Sequence, residues 1–190
     1  MEETGVDKVF LIGGSAGSLD IILNLAESIP PATKSIFVII VHRKPGPDSI
    51  LLNLISTRTG ITAREVEDKE PVIPGTIYLA PPGYHLLFEN ENMFSLDGSE
   101  KLHFSRPSID ITFESAAEIF GDKVIGILLS GANADGADGM CAIKQFSGVT
   151  IAQNPDSAEV GYMPRQAIEK NCAELVLDPN EIADYINNRS

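Results

Sequence analysis

Six consecutive large apolar residues, Ile36-Phe37-Val38-Ile39-Ile40-Val41, constrain this chain more than any other segment. Side chains branched at Cβ favour extended backbone, and successive residues of a strand point to opposite faces. A strand that is apolar at every position needs cover on both sides. That is the setting of a central strand in a parallel sheet with helices packed on each face. The run is far shorter than the ~20 residues that cross a bilayer. It lies between Ser35 and His42, so the strand leaves the core at a histidine.

The rest of the chain alternates in the same manner. Lys8-Val9-Phe10-Leu11-Ile12 predicts a first strand that stops at Gly13-Gly14. From Ser18, the positions Leu19, Ile22, Leu23 and Leu25 recur at helical spacing until Pro30-Pro31. Pro47-Asp48-Ser49 predicts the start of a helix through Leu51, Leu52, Leu54 and Ile55. Shorter, more polar segments follow at Ile61–Val66, Gly75–Leu79, Tyr84–Glu89 and Asn92–Leu96, with a hairpin turn at Glu89-Asn90-Glu91-Asn92. Then come a helix over Ile109–Phe120, a strand over Val124–Leu129 and a helix over Asp135–Phe146. The pattern closes with a strand over Val149–Gln153, a helix over Pro164–Lys170, a strand over Glu174–Leu177 and a helix over Asn180–Asn188. This order predicts an α/β fold: a doubly wound, mostly parallel sheet flanked by helices, with a small β-rich insert over Ile61–Phe104. There is no linker or repeat, so residues 1–190 are expected to form one domain.

Charge narrows the function classes. Lys and Arg number 14 against 27 Asp and Glu, for a net charge of −13. Nucleic acid and anionic membrane surfaces both need the opposite balance. Met1–Lys8 holds two Glu and an Asp where a signal peptide needs a basic start and an apolar core, so a cytoplasmic protein is expected. Cys141 and Cys172 lack metal-ligand spacing and are expected to be reduced, packed thiols.

In doubly wound sheets, function sits at the carboxyl ends of the strands. Three such ends carry polar groups. The first strand runs into Gly13-Gly14-Ser15-Ala16-Gly17, a Gly-x-Ser-x-Gly turn between strand and helix that would present the Ser15 hydroxyl at a helix N-terminus. The plain alternative is a Gly-rich turn with Ser15 as a cap. Ser15 stands where a dinucleotide-binding turn needs its second Gly, and the Gly-Lys pair of a P-loop is missing. The second strand ends at His42, well placed as a general base, or else a partly buried structural histidine. His85 begins a strand of the insert and His103 lies in a polar stretch, which are weaker settings for catalysis. The strand Val124–Leu129 ends in Ser130-Gly131-Ala132-Asn133-Ala134-Asp135-Gly136. Asp135 there either orients His42 or caps the helix that follows. A calcium loop would need a bidentate acid near its end that this segment lacks. The order Ser15, His42, Asp135 also departs from the Ser, acid, His order of the α/β-hydrolases.

The chain closely resembles the catalytic domain of the CheB chemotaxis receptor methylesterases. The resemblance is carried by Ile12-Gly13-Gly14-Ser15-Ala16-Gly17, Val41-His42, Pro74-Gly75-Thr76-Ile77-Tyr78-Leu79-Ala80-Pro81 and Ser105-Arg106-Pro107-Ser108-Ile109-Asp110. Leu129 to Asp135 with Gly136, Ile151-Ala152-Gln153-Asn154 and Met163-Pro164-Arg165 extend it to nearly the whole chain. The resemblance implies a Ser15 nucleophile, a His42 base and an Asp135 orienting acid, with backbone N–H groups near Ala16 and Ala132 as the oxyanion hole. It implies hydrolysis of glutamyl γ-methyl esters, with glutamine deamidation as a second activity, on the cytoplasmic helices of methylated chemoreceptors. It implies no cofactor and no metal.

Three departures accompany the resemblance. The family usually carries an N-terminal receiver domain, for which Met1–Asp7 leaves no room, so a separate response-regulator partner is an expectation. Ala132-Asn133 replaces the family's Met-Gly, and Asn133 would inherit any positive φ that Gly supplied. Arg43-Lys44-Pro45 replaces Met-Pro after the histidine and sets two cations near the site. A non-catalytic docking module on the same domain is the alternative reading, and a flavodoxin-like nucleotide binder a third.

Overall fold

The computed structural model describes residues 5–46 and 50–190. Along the chain run β1 (Val9–Gly14), α1 (Leu19–Glu27), β2 (Ile36–Val41), α2 (Ile50–Arg58), β3 (Thr62–Glu65), β4 (Thr76–Leu79), β5 (His85–Asn90) and β6 (Met93–Asp97). Then follow α3 (Ile109–Phe120), β7 (Val124–Leu128), α4 (Ala137–Gln145), β8 (Val149–Gln153), α5 (Tyr162–Glu169), β9 (Leu175–Leu177) and α6 (Pro179–Arg189). The expected helix start at Pro47-Asp48-Ser49 lies outside the described residues.

Seven strands form one parallel sheet in the order β3-β4-β2-β1-β7-β8-β9. β2 occupies the interior, as its composition requires. Ile36, Val38 and Ile40 pack on one face with α3, α4, α5 and the β5–β6 hairpin. Phe37 and Ile39 pack on the other with α1, α2 and α6. From β1 the chain lays β2, β3 and β4 on one side, with β4 returning between β2 and the edge strand β3, and then crosses to the other side at β7. The carboxyl ends of β1 and β7 therefore flank the switch point of the sheet, where a crevice is expected.

Two expectations are corrected. The insert is smaller than Ile61–Phe104, because β3 and β4 belong to the main sheet, with Phe37↔Ile77 and Ala63↔Ile77 in register. Only the β5–β6 hairpin stands apart. β3 is an edge strand with exposed and half-buried residues, so its sequence shows the polar pattern of a surface element. The cysteines are not free thiols: Cys141 and Cys172 form a disulfide, with Cα atoms 4.8 Å apart. It ties α4 to the segment between α5 and β9. Packing of helices distant in sequence brings the two sulfurs together, and no local motif marks that.

Candidate active site

β1 ends in a turn that small residues make possible. Gly17 adopts φ +77°, in the left-handed region where a side chain is strained, and the chain reverses there into α1. Ser18, not Ser15, is the residue preceding α1, and its Oγ donates to Ser15 O at 2.7 Å. Ser15 itself is half-buried, and its hydroxyl has no hydrogen-bond partner among the described residues. The cap alternative for Ser15 therefore finds no support in the turn.

The loop after β7 is fastened to this turn. Ser15 N donates to Ser130 O at 2.9 Å. The buried Ser130 Oγ donates to Ala16 O at 2.7 Å and accepts from Val160 N at 2.9 Å. Ser130 N donates to Gln153 Oε1 at 3.0 Å. The backbone N–H groups of Ala16 and Ala132 donate to no acceptor among the described residues and remain available. Asn133 does not take a positive φ. Its Oδ1 accepts from Asp135 N at 3.1 Å, and its Nδ2 reaches His103 O and Ser105 Oγ, each at 3.4 Å.

Asp135 is fully buried, and both carboxylate oxygens are used. Oδ2 accepts from His42 Nε2 at 2.7 Å and from Ile109 N at 2.7 Å. Oδ1 accepts from Ser108 Oγ and Asp110 N, each at 3.0 Å. Asp135 does not cap α4, whose preceding residue is Gly136 at φ +97°. It caps α3 instead, an anion seated on free N–H groups at the positive end of a helix dipole. Burial by itself pushes this carboxyl up. The hydrogen bonds from His42 and from the N–H groups of Asp110 and Ile109, with the His42 charge, outweigh that and hold it below the usual carboxylate range.

His42 follows β2, and its N donates to Gly14 O at 3.4 Å, which sets it beside the β1 turn. Its side chain is 11% exposed. With Nε2 donating to a carboxylate, Nδ1 is the ring nitrogen left to accept a proton. The structure thus brings His42 and Asp135 into contact at the end of the strand adjoining Ser15.

The other histidines have structural roles. His85 is fully buried, with Nδ1 accepting from Ser108 N at 3.1 Å and Nε2 donating to Glu100 O at 2.8 Å. It holds the residue whose hydroxyl bonds Asp135, a support that its position in the sequence did not signal. His103 Nε2 lies 3.3 Å from Asp110 Oδ2. His103, Asp110 and Asp138 place three potential ligand atoms within 4.8 Å of one another. Asp110 Oδ1 already accepts from Gly136 N and Gly139 N, and Asp138 pairs with Lys170, so both carboxyl groups are engaged within the protein.

Asp110 sets up a pH dependence. Burial pushes its carboxyl up to about 7, with the Asp135 and Asp138 charges adding, against hydrogen bonds from Gly139 N and Gly136 N. The folded protein therefore holds this proton between the ordinary 3.8 and about 7. Stability contributed by Asp110 falls as pH rises through that window. Asp110→Asn keeps an oxygen for both N–H groups and has no proton to lose. The variant is expected to gain on the wild type by ~1–3 kcal/mol between pH 5 and pH 8. Urea unfolding at the two pH values checks this, and an unchanged gap excludes the assignment.

Comparisons with known proteins identify the family and the fold. The family model for CheB methylesterase matches residues 10–186. A Leptospira interrogans relative is 38% identical over 93% of this chain and 92% of its own length. A protein-glutamate methylesterase/protein-glutamine glutaminase of Thermotoga maritima is 35% identical over 94% of this chain, which spans 53% of that relative. The crystal structure of the Thermotoga maritima CheB methylesterase catalytic domain superposes with a TM-score of 0.90 at 32% identity, covering 95% of this chain and 97% of that one. The expected α/β class is that of the matched domain. The chain belongs to the CheB methylesterase family.

Proposed function

We propose that this chain is a protein-glutamate methylesterase that hydrolyses glutamyl γ-methyl esters on the cytoplasmic helices of chemoreceptors through Ser15, His42 and Asp135. The observation that carries the reading is the 2.7 Å contact of His42 Nε2 with a buried, ionised Asp135 beside the β1 turn. His42 Nδ1 takes the proton of Ser15 Oγ as that oxygen attacks the ester carbonyl. The N–H groups of Ala16 and Ala132 receive the oxyanion. His42 then gives its proton to the departing methoxide, which leaves as methanol. Water attacks the acyl-enzyme by the same route in reverse and regenerates Ser15. Asp135 stabilises the imidazolium in both steps and holds the ring in one orientation. The same steps applied to a glutamine side chain release ammonia. A docking module has no use for a buried carboxylate aimed at a histidine, which favours the enzyme over the scaffold alternative.

Methanol release from methylated receptor membranes tests the reading. The folded chain is expected to raise methanol well above the rate in buffer. No release from folded protein overturns it. Among the described residues no helix is long and apolar enough to cross a membrane, in keeping with an enzyme that meets its substrate from the aqueous side.

A further inference from the structure

His42 forms part of the wall of an open cleft of about 440 Å³. Arg43 and Lys44, from the segment after β2, line it with Lys101, Phe104 and Arg106, from the segment between β6 and α3. Among the described residues no carboxylate lines it, although the chain carries a net charge of −13. The cations are not equivalent. Arg43 pairs with Glu65 and donates to Ala80 O at 3.2 Å. Arg106 Nη1 donates to Gly98 O at 2.8 Å and Ser99 O at 2.7 Å. These two guanidinium groups hold the walls in place. Lys44 and Lys101 are exposed and have no hydrogen-bond or ion-pair partner among the described residues. Their ammonium groups are free to meet anions.

Phe104 adds an apolar element. It is 96% exposed, the most exposed of the large apolar side chains described. Its backbone is held by paired hydrogen bonds between Leu102 and Ser105, 3.2 and 2.9 Å long. Asn133 links the same loop to Asp135 N. The ring is therefore presented on a braced loop beside two free cations, and such rigid aromatic anchors with complementary charge are how interfaces gain affinity and specificity.

We propose that this cleft docks an acidic polypeptide segment, with Lys44 and Lys101 pairing with carboxylates that flank the reacting ester and Phe104 seating an apolar side chain of the same segment. The proposal rests on His42 belonging to a hydrolytic site. A methyl ester is uncharged, so the lysines recognise its neighbours and not the reacting group. Specificity then lies in the residues around the ester.

Fluorescence anisotropy with a labelled, unesterified, glutamate-rich helical peptide carrying one leucine per turn tests this without turnover. A lysine-rich peptide of the same pattern is the comparison. The wild type is expected to bind the acidic peptide, more weakly as salt rises, and not the basic one. The double variant Lys44→Glu, Lys101→Glu is expected to raise Kd at least ~10-fold. Phe104→Ser is expected to raise it ~5-fold with the salt dependence unchanged. Lys34→Glu, which makes half of that charge change just before the amino-terminal end of β2, should shift Kd by less than about twofold. Equal losses from Lys34→Glu and the double variant, or equal binding of both peptides, overturn the proposal. Selective binding by a chain that releases no methanol overturns the esterase reading alone. Methanol release without selective binding overturns the docking alone.

Discussion

Ser15→Ala is expected to abolish methanol release while leaving the fold unchanged. The Ser15 hydroxyl makes no hydrogen bond among the described residues, so its removal breaks none of the contacts that hold the turn. What orders the turn is backbone: Ser15 N on Ser130 O, and Ser15 O receiving Ser18 N and Oγ, all independent of the side chain. Stability should change by less than ~1 kcal/mol in urea unfolding. Activity should fall by much more. Loss of a nucleophile removes the covalent route entirely, a deficit on the order of 10⁶ in kcat where such triads have been dissected. The KM of any residual activity should stay near that of the wild type, since the cleft and its cations are untouched. A folded Ser15→Ala protein releasing methanol at the wild-type rate sinks the nucleophile assignment.

The parts of this site that could be read from the sequence are those that local chemistry dictates. Ile36–Val41 identifies β2 because a strand apolar on both faces has one physical setting, and the same reading makes His42 the point where it leaves the core. Gly13 to Gly17 identifies a tight strand-to-helix turn because only small residues allow it. The supporting groups were not legible, because each depends on a contact made across the fold. Ser108 and His85 act on Asp135 from the α3 end and the hairpin. Gln153 and Ser130 join the ends of β7 and β8. No spacing in the chain records these meetings. The sequence of β3 resembles that of an insert because an edge strand has the polarity of a surface element. The disulfide was missed for a related reason: 31 residues separate its cysteines, and only the packing of α4 brings them together. Asn133 reverses the pattern. Its sequence oddity is plain, but its use is visible only when its side chain is seen to link Asp135 N to the Phe104 loop.

Asp135→Asn is the change expected to damage both activity and stability, and the two losses have separate causes. For activity, the amide keeps the shape but not the charge that stabilises protonated His42 during attack. The corresponding change in a serine protease triad lowers kcat by ~10⁴, and a fall of that order is expected here. For stability, Asp135 accepts from His42, Ile109, Ser108 and Asp110 with two oxygens. An amide offers one oxygen, and its nitrogen must face N–H or O–H donors at the N-terminus of α3. Leaving such buried groups unpaired costs ~1–3 kcal/mol. The pH dependence identifies the charge as the cause. The Asp135 carboxyl lies below its ordinary 3.8 in the folded protein, so its contribution is full above that value and is lost as pH falls through the folded one. The gap between wild type and Asp135→Asn in urea should therefore be largest near neutrality and shrink below about pH 4. Asp138 provides the contrast. It stands in the first turn of α4, its side chain 54% exposed and paired with Lys170. Asp138→Asn should cost no more than a few tenths of a kcal/mol and leave kcat within about twofold. If Asp138→Asn is the crippled enzyme and Asp135→Asn turns over normally, the carboxylate that His42 uses has been misassigned.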